Sequence, residues 1–169
     1  MGNSTFNGPV RSENGFVAVT KNADTGVITQ ISTYGSAPVA LTDADTDITN
    51  ALHSGGVVVV PAVGGNRTLT LPAPVAGANF KIIYGGAAEE TENLIIDTGA
   101  DANFFIGGIA HLDSDADNVS VYSDGNSNSK LTLTDFGLIE INIVAKDSTN
   151  WYIWGYAQGA DAPAFADQP

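Results

Sequence analysis

The stretch "GLIEINIVAKDSTNWYIWGYA" (residues 137–157) contains two segments of alternating side chains separated by polar residues. A period of two is typical of β-strands, whose successive side chains point to opposite faces. In the second segment this places Trp151 and Ile153 on one face, and Tyr152, Trp154 and Tyr156 on the other. We therefore predict two strands here.

Similar short segments recur along the chain, separated by turn signals at intervals of roughly 8–12 residues, as in sandwiches and barrels. No amphipathic segment of helical length lies between them, which argues against an α/β fold. The sequence predicts an all-β fold, an antiparallel β-sandwich or barrel of jelly-roll type, with at most one short helix near residues 45–53. The predicted strands are "GFVAVT", "GVITQIST", "GVVVVP", "RTLTLP", "NFKIIYG", "NLIIDTG", "NFFIGG", "NVSVYS", "KLTLT", "GLIEINIVA" and "NWYIWGYA".

Three regions follow from this pattern. Residues 1–15 are rich in Asn, Ser and Gly and cannot bury enough apolar area to offset their ordering entropy, so we predict an extended N-terminal arm. Residues 16–157 form a single β-domain. Residues 158–169, rich in Ala, Asp and Pro, are expected to be an irregular tail.

The charge of the chain restricts its partners. With 19 acidic and 6 basic residues the formal net charge is −13, which opposes binding to nucleic acid because phosphate contacts need clustered Lys and Arg. The chain has no cysteine, which excludes disulfides and thiolate chemistry. Neither a signal peptide nor a membrane-spanning run is expected, so we predict no membrane partner.

One acidic segment has a spacing suited to a cation. Asp113, Asp115, Asp117 and Asp124 occupy positions 1, 3, 5 and 12 of a calcium-loop pattern. However, the turn glycine and the final glutamate of that pattern are replaced, and no amphipathic helices flank it. We favour a solvated acidic hairpin loop over a Ca²⁺ site, and otherwise predict no cofactor.

No catalytic constellation is apparent. His53 and His111 lie in no metal-binding or acid–base spacing, and we interpret both as surface or loop residues. Glu140 has no partner carboxylate at a defined separation, so a glycosidase pair cannot be argued. We predict a protein that is not an enzyme, with no catalytic residues.

The aromatic strand allows two interpretations. Tyr152, Trp154 and Tyr156 could form an exposed surface that contacts a sugar or a protein. Alternatively, the aromatic side chains of this strand pack in the core and along the sheet edge, which we favour because aromatics dominate β-sheet cores.

Several of these segments together resemble the small β-rich virion proteins of tailed, especially marine, bacteriophages that decorate or cement the capsid. The resemblance covers residues 4–157 and lies in "STFNGPVRSENGF", "RTLTLPAPVAGANFKIIY", "FFIGGIA" and "FGLIEINIVAKDSTNWYIWGYA". It implies a structural protein, a homotrimer bound to the major capsid protein on the outer capsid surface of the virion, made in the host cytoplasm. The acidic segment at residues 113–124 is not part of the family pattern.

The resemblance also implies that the arm binds the capsid. We expect Pro9 to hold an extended backbone, Arg11 to pair with a capsid carboxylate, and Phe6, Val10 and Phe16 to fill apolar pockets. An alternative is a tail or fibre module that binds host-surface glycans through the aromatic strand and a Ca²⁺ in the acidic segment. A glycan-degrading enzyme is a weaker third hypothesis.

Overall fold

The computed structural model describes residues 16–34, 37–114 and 116–168, and these contain fourteen strands and one short helix, α1 (Asn50–His53). The fold is therefore all-β, as predicted. The strands are β1 (Phe16–Lys21), β2 (Ile28–Tyr34), β3 (Val39–Ala40), β4 (Thr46–Asp47), β5 (Val57–Val60), β6 (Arg67–Thr70), β7 (Asn79–Tyr84), β8 (Leu94–Asp97), β9 (Phe104–Asp113), β10 (Val119–Tyr122), β11 (Lys130–Leu133), β12 (Phe136–Ala145), β13 (Asn150–Gly159) and β14 (Ala164–Ala166).

Two large sheets form a sandwich. The seven-stranded sheet has the order β10-β9-β13-β12-β7-β5-β3, and the five-stranded sheet has the order β14-β11-β8-β6-β4. The strands β1 and β2 form a separate two-stranded sheet. The architecture is thus a sandwich with two open sheets, not a closed barrel.

The strand directions are mixed, whereas the sandwich predicted from the sequence is antiparallel. From β3 to β8 the chain alternates between the two large sheets, so that β3, β5 and β7 run parallel in one sheet and β4, β6 and β8 run parallel in the other. A further parallel pair joins β9 and β13. The remaining pairings are antiparallel, including β12 with β7 and with β13. Parallel neighbours arise because each return to a sheet first crosses the other sheet.

One apolar core lies between the sheets, built from the inward side chains of both. The segments "TLTLP" and "KLTLT" alternate in burial, since their leucines are buried and their threonines half-buried; the buried side chains are Leu69, Leu71, Leu131 and Leu133. The core includes Trp151, whose ring lies 5.7 Å from that of Phe80. Burial of such side chains is worth about 1.5–3 kcal/mol each and is the main stabilising contribution here.

Two secondary-structure expectations need correction. The helix begins at Asn50 instead of Asp45, because residues 46–47 pair with β6 as β4 and the Thr49 side chain caps the helix by accepting a hydrogen bond from Leu52 N. The tail is not irregular throughout. Phe165 packs against the core, and β14 pairs with β11 as an edge strand.

The two-stranded sheet is a hairpin of β1 and β2, as the sequence predicts. The Asn22 side chain shapes the turn by accepting hydrogen bonds from the N–H groups of Asp24 and Thr25, each 2.9 Å long. Within the described part of the chain, no helix is long and apolar enough to span a membrane.

Candidate functional site

The outer face of the seven-stranded sheet carries a row of exposed aromatic side chains on β13. Tyr152, Trp154 and Tyr156 are 42%, 49% and 36% exposed, whereas Trp151 and Ile153 are almost fully buried. The predicted division of this strand into two faces is confirmed. The favoured interpretation was packing in the core and along the sheet edge. It holds for Trp151 and is wrong for the other three rings, which are exposed on a strand between β9 and β12.

A fourth ring extends this surface across the sheet. Trp154 pairs with Gly108 on β9, which in turn pairs with Tyr122 on β10. The Tyr122 ring covers Gly108: a Cβ placed on that glycine would lie 2.5 Å from Tyr122 Cδ1. We call the four side chains Tyr122, Tyr152, Trp154 and Tyr156 the aromatic face.

Polar side chains border the aromatic face on its other side. Trp154 pairs with Asn142 on β12, and Asn142 pairs with Lys81 on β7. The Lys81 ammonium donates to Glu140 Oε1 at 2.8 Å. This hydrogen bond, with a smaller contribution from Asn142, lowers the pKa of Glu140, which therefore stays ionised and paired.

A shallow depression lies where these polar groups meet the rings. Its volume is about 250 Å³, and its lining includes Asn79, Lys81, Asn142, Val144 and Trp154. It is smaller than typical enclosed small-molecule sites of roughly 300–1,000 Å³. The surface therefore offers aromatic faces, amide groups and a neutral ion pair side by side.

The second candidate surface is the hairpin of β1 and β2, which we call the apolar hairpin. Its exposed large side chains are Phe16, Val17, Val19, Val27, Ile28 and Tyr34. The hairpin is anchored on one side, where Ile31 packs against the core and Gln30 Nε2 donates to Ala51 O of α1 at 3.2 Å. A two-stranded hairpin is only marginally stable by itself, so this anchoring matters.

The predicted arm residues divide between described and undescribed chain. Phe16 opens β1 and is 51% exposed. Phe6, Pro9, Val10 and Arg11 lie outside the described residues. The arm prediction for residues 1–15 therefore stays a prediction, and Phe16 belongs to the apolar hairpin.

The acidic residues of the calcium-loop pattern are not brought together. Asp113 ends β9, whereas Asp124 follows β10, and Tyr122 pairs with Gly108 at the other end of that hairpin. At about 3.3 Å per residue this separates Asp113 from Asp124 by on the order of 15–20 Å. Asp117 lies in the connecting loop and Asp115 lies outside the described residues.

Asp124 has a local structural role. Its carboxylate accepts hydrogen bonds from the Ser127 hydroxyl and from the N–H groups of residues 126–128, which lower its pKa and fix the turn. Among the described residues there is no group of three or more His, Asp or Glu side chains arranged to hold a metal ion.

Both histidines are buried, which corrects their interpretation as surface or loop residues. His111 lies on the inward side of β9, and its Nε2 is 2.9 Å from Gly159 O. His53 ends α1, where its Nδ1 accepts a hydrogen bond of 2.9 Å from Thr49 N. Burial lowers the pKa of His53, opposed by the Thr49 carbonyl oxygen, which lies 3.2 Å from Nδ1 and favours its protonated form.

The lowered pKa of His53 predicts acid sensitivity. The neutral form is preferred in the folded state, so its stabilising contribution is complete above the unfolded pKa of 6.5 and is lost as the pH falls below it. Between about pH 7.5 and about pH 5.5, we expect the wild type to lose up to about 1 kcal/mol more unfolding free energy than His53→Gln. Urea denaturation of both proteins at the two pH values measures this, and equal losses would contradict it.

A further depression, not predicted from the sequence, lies at the end of β7 beside the loop "AEETEN" (residues 88–93). Its volume is about 320 Å³, and Tyr84 and Glu89 line it. The Tyr84 hydroxyl donates to Glu90, and burial together with this contact raises the pKa of Tyr84 to about 12. Tyr84 is thus held as a protonated hydrogen-bond donor, which stabilises the loop.

Comparison of the chain with protein-family models, with curated proteins and with solved structures gives no match. The aromatic face and the apolar hairpin are therefore the features of the chain that indicate a function.

Proposed function

We propose that the chain is a non-enzymatic capsid decoration protein of a tailed bacteriophage, which binds the outer surface of the capsid and stabilises neighbouring major capsid protein subunits. The observation that carries the proposal is the apolar hairpin. Six large apolar side chains are exposed within this one hairpin, and such a concentration is typical of protein–protein contact. The hairpin directly follows residues 1–15, whose sequence resembles the capsid-binding arm of such proteins.

The distribution of charge supports this orientation. Residues 1–40 contain two basic and two acidic side chains, whereas seventeen acidic and four basic residues follow them. The arm and hairpin are thus nearly neutral, while the body carries the negative charge. In the proposed complex the neutral part contacts the capsid and the acidic body faces solvent, where its charge favours solubility.

The proposed binding mode is strand addition combined with ordering of the arm. In the described part of the chain β1 is an outer strand of a two-stranded sheet, and we propose that its other edge pairs with a strand of the capsid protein. Several copies of this contact in a trimer would multiply the affinity without new types of interaction. The stabilisation would resist the outward pressure of packaged DNA.

The test uses capsids of the phage that encodes the chain, prepared without this protein. We expect Ile28→Ser and deletion of residues 1–15 each to weaken binding at least about tenfold, a loss of about 1.4 kcal/mol. Leu138→Ser is the control, because Leu138 is an exposed aliphatic residue of similar exposure on the seven-stranded sheet. Co-sedimentation with capsids measures all three, and thermal denaturation checks that each variant folds.

Binding that is unchanged in both Ile28→Ser and the truncated chain would refute the proposed contact.

The number of copies per virion, measured by quantitative mass spectrometry, distinguishes a position on the capsid from a position in the tail or a fibre. Hundreds of copies support capsid decoration, whereas a few tens would assign the protein to the tail or a fibre.

A further inference from the structure

We infer that the aromatic face is a binding site for a neutral oligosaccharide, separate from the apolar hairpin. The site consists of the aromatic face, with its three rings on β13 and Tyr122 on β10, together with the polar row formed by Asn142, Lys81 and Glu140. The inference does not depend on the position of the protein in a virion.

The arrangement of rings matches the shape of a sugar chain. Tyr152, Trp154 and Tyr156 alternate with other residues on one strand, so the Cα atoms that carry neighbouring rings are about 7 Å apart along it. The three Cα atoms together span about 14 Å, which suits a short oligosaccharide better than a single sugar. The carbon-bound hydrogens on one face of a pyranose can lie against the electron-rich face of each ring.

The polar row supplies what a sugar needs besides stacking. Asn142 lies beside Trp154 in the sheet, and Lys81 lies beside Asn142. These side chains can bond to hydroxyl groups, since an amide both donates and accepts while the ammonium donates. Because the Lys81–Glu140 pair is already formed at 2.8 Å, the polar groups are held in position before a ligand arrives.

The ion pair and the net charge disfavour a protein partner, an anionic glycan or a nucleic acid as the ligand of this face. The buried centre of a protein–protein interface is depleted of charged residues, yet here an ion pair lies one strand away from the exposed Trp154. An anionic glycan or a nucleic acid would approach a chain with a net charge of −13, which repels it. A neutral glycan is not repelled by the negative charge, and it can bind beside the ion pair without burying it.

The test is titration of the full-length protein with cellohexaose, maltohexaose and laminarihexaose, three neutral glucans. The chain contains two tryptophans, and Trp151 is fully buried, so a change of tryptophan fluorescence reports on Trp154. We expect saturable binding of at least one glucan at millimolar concentration, with a shift of the emission maximum. Absence of saturable binding by all three would overturn the inference.

Calorimetric titration of variants locates the site. Trp154→Ala is expected to weaken binding at least about tenfold, and Asn142→Ala by about three- to tenfold. Tyr34→Ala, which removes an exposed ring from the apolar hairpin, should leave affinity unchanged. Equal affinity of Trp154→Ala and the wild type would overturn the assignment, as would tighter binding of oligogalacturonate.

The remaining possibility is that a second copy of the chain covers this face. Analytical ultracentrifugation of the wild type and Trp154→Ala distinguishes it. The same oligomeric state in both proteins supports a face free for sugar. Dissociation of a wild-type oligomer by this substitution would overturn the inference and assign the face to self-association.

Discussion

Trp151→Ala is expected to destabilise the domain by about 3–5 kcal/mol, the usual cost of removing a large buried aromatic side chain. Trp151 is completely buried near the start of β13, and its ring packs against Phe80 on β7. The truncation removes the transfer free energy of the indole and leaves a cavity between the sheets that rigid strands cannot close. Since domains are stable by only about 5–15 kcal/mol, a large part of the variant would be unfolded at moderate urea concentration.

The matched control is Trp154→Ala, which removes the same side chain three positions along the same strand. Trp154 is 49% exposed on the outer face, so its truncation should cost less than about 1 kcal/mol. Urea denaturation followed by circular dichroism measures both variants. Equal destabilisation of the two would show that the division of β13 into a buried and an exposed face is wrong.

Gly155→Ala is expected to cost about 3 kcal/mol or more, although it adds a single methyl group. Gly155 has φ = +148°, a conformation that L-residues rarely adopt. A Cβ at this position would lie 2.0 Å from Glu140 O on β12, a backbone atom that cannot move without separating the strands. The variant combines backbone strain with a break in the central β12–β13 pairing.

Gly125→Ala provides the control for Gly155→Ala. Gly125 also has a positive φ of 77°, but a Cβ there would meet nothing within 4 Å. The control therefore reports the conformational cost alone, about 1–2 kcal/mol. Denaturation midpoints and slopes of both variants measure the difference, and a loss for Gly155→Ala no larger than for Gly125→Ala would contradict the proposed clash.

Periodicity predicted the strands of the domain well because long strands alternate. β12 and β13 each span ten residues, and their pattern is evident in the sequence. β3 and β4, with two residues each, and β14, with three, are too short to show a period. Periodicity could not predict strand direction either. The direction of a strand depends on whether the chain has crossed to the opposite sheet before it returns to the first one.

The exposure of the aromatic face could not be predicted from alternation alone. Both faces of β13 are apolar in sequence, with Trp151 and Ile153 on one and Trp154 on the other. Only the position of the five-stranded sheet decides which face is buried. The burial of His111 could have been predicted. His111 lies on the same face of β9 as the buried Phe105 and Ile109, and their spacing of two and four residues is visible in the sequence.

The path of the chain from sheet to sheet has a consequence for folding. Strands that are consecutive in sequence from β3 to β8 belong to opposite layers, and β9 finds its parallel partner β13 only after three further strands have been placed. Neither layer can form from a continuous piece of chain, so both must assemble in one cooperative step. Long loops must close before these contacts form, which predicts folding in milliseconds to seconds without a stable half-formed layer.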